Sequence, residues 1–237
     1  MKILVIGGMH GNEPLGLELV KAFHRRPTAG VTAIYANSVA IAADTRFVKC
    51  DLNRTFPGDR TSKVYEIRRA AEIVAMTSDY DLILDFHNTY CPDNDCGFIG
   101  EQANKSLYRV ATWLGLRRLI VADYDCLNKY APNCLSVEIS LDSPFRDSQW
   151  WRSRITALAK LAELPADDAV ERYRFVYRMT LEDRDRLGLL SKKLRAFQPL
   201  SDTLAKQLGV ASPAYPIFIG DRYTPYNYGG LVNKIDV

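Results

Sequence analysis

Long apolar runs, phosphate-binding glycine motifs and clustered positive charge are all missing from this sequence. No apolar run approaches the roughly 20 residues that cross a bilayer as a helix. The apolar start, Met1 to Gly8, is too short for a secretory signal and lacks a small-residue cleavage site. Neither GxGxxG nor GxxxxGKS/T occurs. The 31 basic and 28 acidic residues are interspersed, whereas nucleic-acid binders concentrate their positive charge. We therefore expect a soluble protein with neither a membrane nor a nucleic acid as its partner.

Cysteine is too sparse, and odd in number, for a disulfide framework. The five cysteines are at positions 50, 91, 96, 126 and 134, which suits reduced thiols in a cytoplasmic protein. Cys91 and Cys96 follow one predicted strand closely, but their spacing matches no zinc signature. We expect them to be plain thiols.

Apolar runs alternate with amphipathic stretches along most of the chain. Short apolar runs are typical of strands buried on both faces, and apolar residues at helical spacing indicate helices packed on a sheet. The predicted strands are residues 3–6, 31–36, 82–87, 119–122 and 135–139. The predicted helices begin at Pro14, Lys63, Lys105 and Ser148, and the last of them is predicted to end at Leu164, before Pro165. This order predicts an α/β fold with a mixed, mostly parallel sheet sandwiched by helices.

The pattern changes after Pro165. Residues 173–179 alternate polar and apolar side chains, and residues 215–219 and 230–235 resemble further short strands. We therefore predict a main domain of residues 1–165 and a small β-rich subdomain of residues 166–237.

Two of the three histidines follow predicted strands. His10 lies in a glycine-rich turn with Glu13 one helical turn on, and His87 ends the strand that begins at residue 82. Ligands bind at the carboxyl ends of parallel strands, and two imidazoles with one carboxylate form a catalytic zinc set. The alternative is a tight strand–helix turn with a hydrogen-bonded histidine. His24, on a polar helix flank, is expected at the surface.

A lone carboxylate and a basic loop supply further candidates. Glu138 interrupts an apolar strand, where burying a charge is costly, so it is either a catalytic base or an outward-facing residue. Arg46, Asn53 and Arg54 lie in one loop, and an arginine fork grips carboxylates at two points. Isolated arginines of this kind also form surface ion pairs.

Four motifs in order resemble the succinylglutamate desuccinylase/aspartoacylase family, which has a zinc carboxypeptidase-like fold. They are Gly-Gly-x-His-Gly-Asn-Glu at residues 7–13, Arg46 ahead of Asp-Leu-Asn-Arg at 51–54, Asp-Phe-His-Asn-Thr at 85–89, and Val-Glu-Ile at 137–139. The resemblance covers residues 1–165. It is weaker in the tail, which in the family caps the active site.

The resemblance implies roles for these residues. His10, Glu13 and His87 would bind one zinc ion per chain, Glu138 would act as the general base, and Arg46 would polarise the scissile carbonyl. Asn53, Arg54, Asn88, Tyr124 and one tail tyrosine (Tyr226, with Tyr223 and Tyr228 as alternatives) would bind the substrate. Asp85 precedes His87 by two residues, so it either orients that imidazole or is a buried structural residue.

One position departs from the family pattern. Aspartoacylases carry a further arginine ahead of the general base, and counting back from Glu138 places it at Asn128, with Lys129 adjacent. This departure leaves the exact substrate open. The resemblance implies hydrolysis of the amide bond of a small acidic N-acyl amino acid. The alternatives are a zinc carboxypeptidase acting on short peptides and a non-catalytic binding protein, and formation of a homo-oligomer is left open.

Overall fold

One nine-stranded sheet organises the part of the chain that the computed structural model describes, residues 1–164, 166, 170–220 and 227–235. The strands are β1 Ile3–Gly7, β2 Val31–Tyr35, β3 Leu82–Thr89, β4 Cys96–Ile99, β5 Arg118–Val121, β6 Cys134–Ser140, β7 Glu171–Thr180, β8 Ala214–Ile217 and β9 Asn227–Lys234. The helices are α1 Pro14–Arg25, α2 Ser38–Ala42, α3 Tyr65–Met76, α4 Ser106–Leu114, α5 Leu127–Tyr130, α6 Ser148–Ala159, α7 Leu181–Arg186 and α8 Asp202–Gln207. Short 3-10 helices cover Leu52–Arg54, Thr77–Asp79 and Leu189–Ser191.

The sheet is mixed and mostly parallel, so the predicted fold class is confirmed. Its order is β2-β1-β3-β6-β4-β5-β7-β9-β8. The pairs β2–β1, β1–β3, β3–β6, β4–β5 and β5–β7 are parallel. The pairs β4–β6, β7–β9 and β9–β8 are antiparallel. Strand β4 was not predicted, because four residues after a Pro-Asp-Asn-Asp loop are too few to show a period.

Side chains of β1 point alternately into two cores. Ile3 and Val5 join the core that contains Trp151 of α6, whereas Leu4 and Ile6 join the core that contains Ile73 of α3. Both faces of the central strands are therefore covered by helices, as their continuous apolar runs predict. No helix within the described ranges is long and apolar enough to cross a membrane.

Helix α6 is shorter than predicted. It ends at Ala159, because the amides of Lys160 and Leu161 bond the carbonyls of Ala157 and Leu158, three residues back, and tighten the last turn. The chain then leaves the helix axis, although Leu164 still packs against the core.

The tail continues the main sheet. Strands β7, β9 and β8 follow β5 at the sheet edge, and α8 packs Leu204 and Leu208 against Met179 and Leu231. The predicted division at residue 165 stays a prediction, while the sheet itself runs through both parts of the chain. This continuity brings tail residues to the carboxyl-terminal edge where the chemical side chains gather.

Candidate metal centre and adjoining cleft

The glycine-rich turn after β1 places His10 beside Glu13. Gly8 has a φ of +71°, and a Cβ on Gly11 would lie 2.1 Å from the carbonyl carbon of Ala40, so neither position accepts a side chain. Pro14 then begins α1, with Glu13 as its N-cap residue. The turn closes with His10 Nδ1 2.7 Å from Glu13 Oε1.

Strand β3 delivers the second histidine to the same point. Phe86 pairs with Gly7 in the parallel register, so His87 lies immediately beyond the end of β1. His87 Nδ1 is 3.1 Å from Glu13 Oε2. Ligand atoms of His10, Glu13 and His87 all lie within 4.8 Å of one another, and all three residues are buried.

Two further carboxylates contact the Nε2 atoms of the two imidazoles. Asp51 Oδ1 lies 3.0 Å from His10 Nε2, and Asp85 Oδ2 lies 2.9 Å from His87 Nε2. When each carboxylate accepts the Nε2 proton, both Nδ1 atoms are left directed at Glu13. Asp85 occupies the orienting position that the sequence suggested. Asp51 was missed, although it begins the Asp-Leu-Asn-Arg motif.

The electrostatics of this cluster fit a divalent cation. Burial opposes ionisation of Glu13, but the neighbouring His10 and His87 outweigh it and lower the pKa of that carboxyl. Burial also opposes protonation of His87, but Asp85 and Glu13 raise its pKa. Without a metal, protons must separate these nitrogens from the carboxylates, and a cation bound by Nδ1, Nδ1 and a carboxylate oxygen replaces them. Two imidazoles and one carboxylate match a zinc site that has a further position open.

Arg46 lies at the edge of the ligand cluster. Its Nε and Nη2 atoms donate to Asp51 Oδ2 at 3.2 and 3.1 Å, and its Nη1 atom is 3.7 Å from Glu13 Oε1. The loop that carries it is anchored by the buried Glu66 of α3, whose Oε1 accepts the amides of Val48 and Lys49, both at 3.0 Å. Arg46 is thus held over the cluster from two sides.

Glu138 faces the cleft. It pairs in register with His87 of β3 and with Cys96 of β4, and paired residues project from the same face of a sheet. Glu138 is the one partly exposed residue in a strand that is otherwise buried. Its exposure comes from the cleft that it lines together with His10 and Arg46.

The cleft has walls from both parts of the chain. Including the open water at its mouth, it measures about 780 Å³. One wall consists of His10, Glu13, Arg46, Asn53, Arg54, Asn88, Phe98, Tyr124 and Glu138. The tail supplies Phe175, Arg178, Ile217, Phe218, Asn227, Gly229 and Gly230.

Four predicted substrate-binding residues line the cleft, but the side chain of one of them is already hydrogen-bonded within the protein. Asn53, Arg54 and Tyr124 line the cleft, and the Arg54 guanidinium carbon lies 5.0 Å from the centre of the Tyr124 ring. Burial raises the pKa of the Tyr124 phenol, which stays neutral even though Arg54 and Arg178 oppose that shift. Asn88 also lines the cleft, but its side chain is occupied: Oδ1 accepts the Leu15 amide and Nδ2 donates to the Ile139 carbonyl.

Of the three candidate tail tyrosines, Tyr228 is among the described residues. Tyr223 and Tyr226 lie outside the described residues. Tyr228 is buried in the cluster around Met179 and Leu231 and does not line the cleft.

The five cysteines are free thiols.

Arg178 is the charged cleft residue that the sequence analysis did not identify. The alternation in residues 173–179 predicts a half-exposed strand and says nothing about what its exposed side faces. Strand β7 places Arg178 6.0 Å from the Tyr124 ring centre, among the residues that line the cleft. Its position depends on the sheet continuing into the tail, which local periodicity does not encode.

Comparison with known proteins supports the resemblance found in the sequence motifs. Residues 1–113 match the family model described as the succinylglutamate desuccinylase/aspartoacylase catalytic domain. The chain is 42% identical to mouse (Mus musculus) aspartoacylase over 106 residues, which cover 37% of this chain and 34% of that protein. It is 32% identical over 118 residues to a rat (Rattus norvegicus) N-acyl-aromatic-L-amino acid amidohydrolase (carboxylate-forming), covering 40% of this chain and 36% of that protein. The matches thus span about a third of each curated relative.

Solved structures share the fold over the whole chain. Succinylglutamate desuccinylase from Chromobacterium violaceum superposes with a TM-score of 0.74 at 18% identity, covering 100% of this chain and 85% of that one. Murine aminoacylase 3 gives a TM-score of 0.70 at 20% identity, covering 100% and 96%. At these identities the likeness concerns the fold.

Proposed function

We propose that this chain, whose residues 1–113 belong to the succinylglutamate desuccinylase/aspartoacylase catalytic-domain family, is a zinc-dependent amidohydrolase that cleaves small N-acyl amino acids. One observation carries the proposal. His10 and His87 direct Nδ1 at Glu13 while Asp51 and Asp85 hold both Nε2 atoms. A structural histidine needs no such pair of outer carboxylates around a shared third ligand.

His10, Glu13 and His87 would hold the zinc ion. When bound there, zinc supplies Lewis-acid chemistry, which polarises a carbonyl and lowers the pKa of water towards neutrality. The outer carboxylates Asp51 and Asp85 keep the imidazoles in the tautomer that such binding requires.

The residues of the cleft would carry the proton and the developing charge. Glu138 accepts a proton from the attacking water and passes it to the leaving amine nitrogen, so that a carboxylic acid and a free amine are released. Arg46, held against Asp51, donates to the oxygen of the scissile carbonyl as negative charge develops on it. Because Arg46 is already fixed by its ion pair, little reorganisation is needed during the reaction.

Arg54 and Asn53 would position the substrate through its α-carboxylate. The Arg54 side chain lies against the Tyr124 ring, and its Nη1 atom donates to the Asn53 carbonyl at 2.7 Å. Its other N–H groups remain for a two-point contact with a carboxylate. The tail wall, with Phe175 and Phe218, limits the cleft on the other side, which favours small substrates over peptides.

The test is turnover of N-acetyl and N-succinyl amino acids by the zinc-loaded protein. We expect activity that a chelator abolishes and that added zinc restores. Glu138→Gln should lower kcat by at least about a hundredfold with unchanged zinc content, whereas Glu101→Gln, at an exposed pair with Arg174, should not. Activity that survives chelation, or full turnover by the Glu138 variant, would contradict the proposal. Release of amino acids from unacylated peptides instead would identify a carboxypeptidase.

A further inference from the structure

A buried asparagine outside the cleft reaches the backbone of the tail wall. Asn94 lies in the loop between β3 and β4 and is 2% exposed. Its Oδ1 atom accepts the amide of Phe218 at 2.7 Å, across 124 residues of chain. Phe218 follows the last register pair of β8 and β9, which is Ile217 with Gly230. The asparagine therefore holds the tail at the point where the register of the sheet ends.

The conformation of Phe218 needs such support. Its φ is +51°, a left-handed conformation that costs energy for a residue with a side chain and persists only where the surroundings impose it. In this conformation its ring stacks on Phe98, with the ring centres 5.9 Å apart, and both rings line the cleft. The loop of Asn94 makes a second contact here, because the Cys91 thiol donates to the Ile219 carbonyl at 3.4 Å. The loop thus supports the backbone that presents the Phe218 ring.

The same loop is bonded to the strand that carries Glu138. Ser140 is buried on β6, two residues beyond Glu138. Its Oγ atom accepts the Asn94 amide at 3.2 Å and donates to the Cys91 carbonyl at 2.7 Å. The Ser140 amide donates to Asp95 Oδ1 at 2.8 Å. A continuous set of hydrogen bonds therefore connects the strand of the proposed base to the tail wall of the cleft.

We propose that Asn94 is a positioning residue that sets where the Phe98–Phe218 wall stands relative to Glu138, and so how tightly the cleft holds its substrate. The assignment rests on the proposed function, in which Glu138 is the base. Asn94 does not line the cleft and acts through the backbone of Phe218. An apolar wall contributes to binding in the ground state and in the transition state alike. Its displacement should therefore raise KM more than it lowers kcat.

Two substitutions at Asn94 separate its acceptor atom from the shape of its side chain. Asn94→Asp keeps an oxygen that can accept the Phe218 amide, whereas Asn94→Leu, of similar size, has none. With the N-acyl amino acid that the wild-type protein turns over best, we expect KM to rise about tenfold in Asn94→Leu while kcat changes by less than about threefold. Asn94→Asp should keep KM near the wild-type value. Asn94→Ser, which is too short to reach the amide, replaces Asn94→Leu if that variant fails to fold.

A double-mutant cycle tests whether Asn94 acts through the Phe218 ring. Phe218→Ala should raise KM by itself, and adding Asn94→Leu should then change KM by less than about twofold. Additive effects would overturn the assignment. The matched control is Asn133→Leu, because Asn133 also joins two segments by donating to the carbonyls of Thr77 and Tyr80 at 3.3 and 2.7 Å, away from the cleft. It should lower stability without changing KM.

Amide hydrogen exchange in residues 214–220 gives a readout that needs no turnover. Exchange of the Phe218 amide should be faster in Asn94→Leu and unchanged in Asn94→Asp and Asn133→Leu. Unchanged exchange in Asn94→Leu, or faster exchange with a wild-type KM, would overturn the assignment and leave the amidohydrolase standing. If the wild-type protein turned over no N-acyl amino acid, the proposed function would be wrong, and faster exchange in Asn94→Leu would still support the hold of Asn94 on the wall.

Discussion

Asp51 links His10 to Arg46, because its Oδ1 atom contacts His10 Nε2 at 3.0 Å while its Oδ2 atom accepts from Arg46 Nη2 at 3.1 Å. One carboxylate therefore orients the imidazole of a proposed metal ligand and fixes the arginine proposed to stabilise the oxyanion. Burial opposes its ionisation, but His10 and Arg46 outweigh that effect and lower the pKa of Asp51. In the proposed mechanism, metal binding and oxyanion stabilisation would therefore be coupled through this side chain.

Substituting Asp51 should affect both properties. Asp51→Asn should weaken zinc affinity about ten- to hundredfold, because an amide cannot raise the basicity of His10 as a carboxylate does. Asp85→Asn should weaken zinc affinity similarly, but should lower kcat at saturating zinc less than Asp51→Asn. Competition with a chromogenic chelator measures the affinity. Asp125→Asn, at an exposed pair with Lys129, is the control. Equal kcat for the two variants at saturating zinc would refute the coupling.

Glu66 should act on catalysis through the loop that it anchors. Glu66→Ala removes the acceptor of the Val48 and Lys49 amides and should cost about 2 kcal/mol or more in the free energy of unfolding. It should also lower kcat more than it raises KM, because Arg46 is displaced. Glu66→Gln retains an acceptor oxygen and should restore part of kcat. Glu72→Ala, on the same helix but half exposed, should change neither value. If Glu66→Ala lost stability but kept kcat, the positioning role would be wrong.

An arginine at position 128, where the family pattern has one, should lower the free energy of unfolding. Asn128→Arg buries a charge without a carboxylate partner and breaks three hydrogen bonds, so we expect a loss of about 3–5 kcal/mol in the free energy of unfolding. Lys129→Arg, one residue away and exposed, should be neutral. Urea unfolding measures both. An Asn128→Arg protein as stable as the wild type would contradict this expectation.

The tail should lose stability at acidic pH through Asp183. Burial opposes its ionisation. Hydrogen bonds from the Thr180 backbone N–H, the Arg186 guanidinium and the Tyr177 hydroxyl outweigh burial and lower the pKa of this helix-capping carboxyl. Because its pKa is lower in the folded state, the stabilisation is complete above about pH 3.9 and is lost as the pH falls through the folded-state value.

Asp183→Asn therefore tests how much the ionised Asp183 carboxyl stabilises the folded protein. The variant should be about 1–2 kcal/mol less stable at neutral pH, and the difference should shrink as the wild-type carboxyl protonates. Urea midpoints across an acid titration check this, with the exposed Glu182→Gln as the control. A difference that is independent of pH would mean that the ionised form is not what stabilises the cap.

The sequence by itself determined the class of fold and the order of its central elements. Residues 3–6 and 82–84 are apolar without alternation, which is typical of strands covered on both faces. The glycines around His10 favour a tight turn there. His10, Glu13, His87 and Glu138 could be named as candidates because each lies at the end of, or within, an element with a recognisable local pattern. Arg46 could be named because its loop carries two arginines and an asparagine.

Only the tertiary structure decided which side chains complete the cleft. Asp51 meets His10 across 41 residues, and Arg178 meets Tyr124 because β7 joins the sheet beside β5. The Asn128 side chain points inward and donates to two buried carbonyls, so this position does not line the cleft. Such contacts depend on strand order and on which buried polar groups need partners. Both are properties of the packed chain, and local sequence periodicity does not predict them.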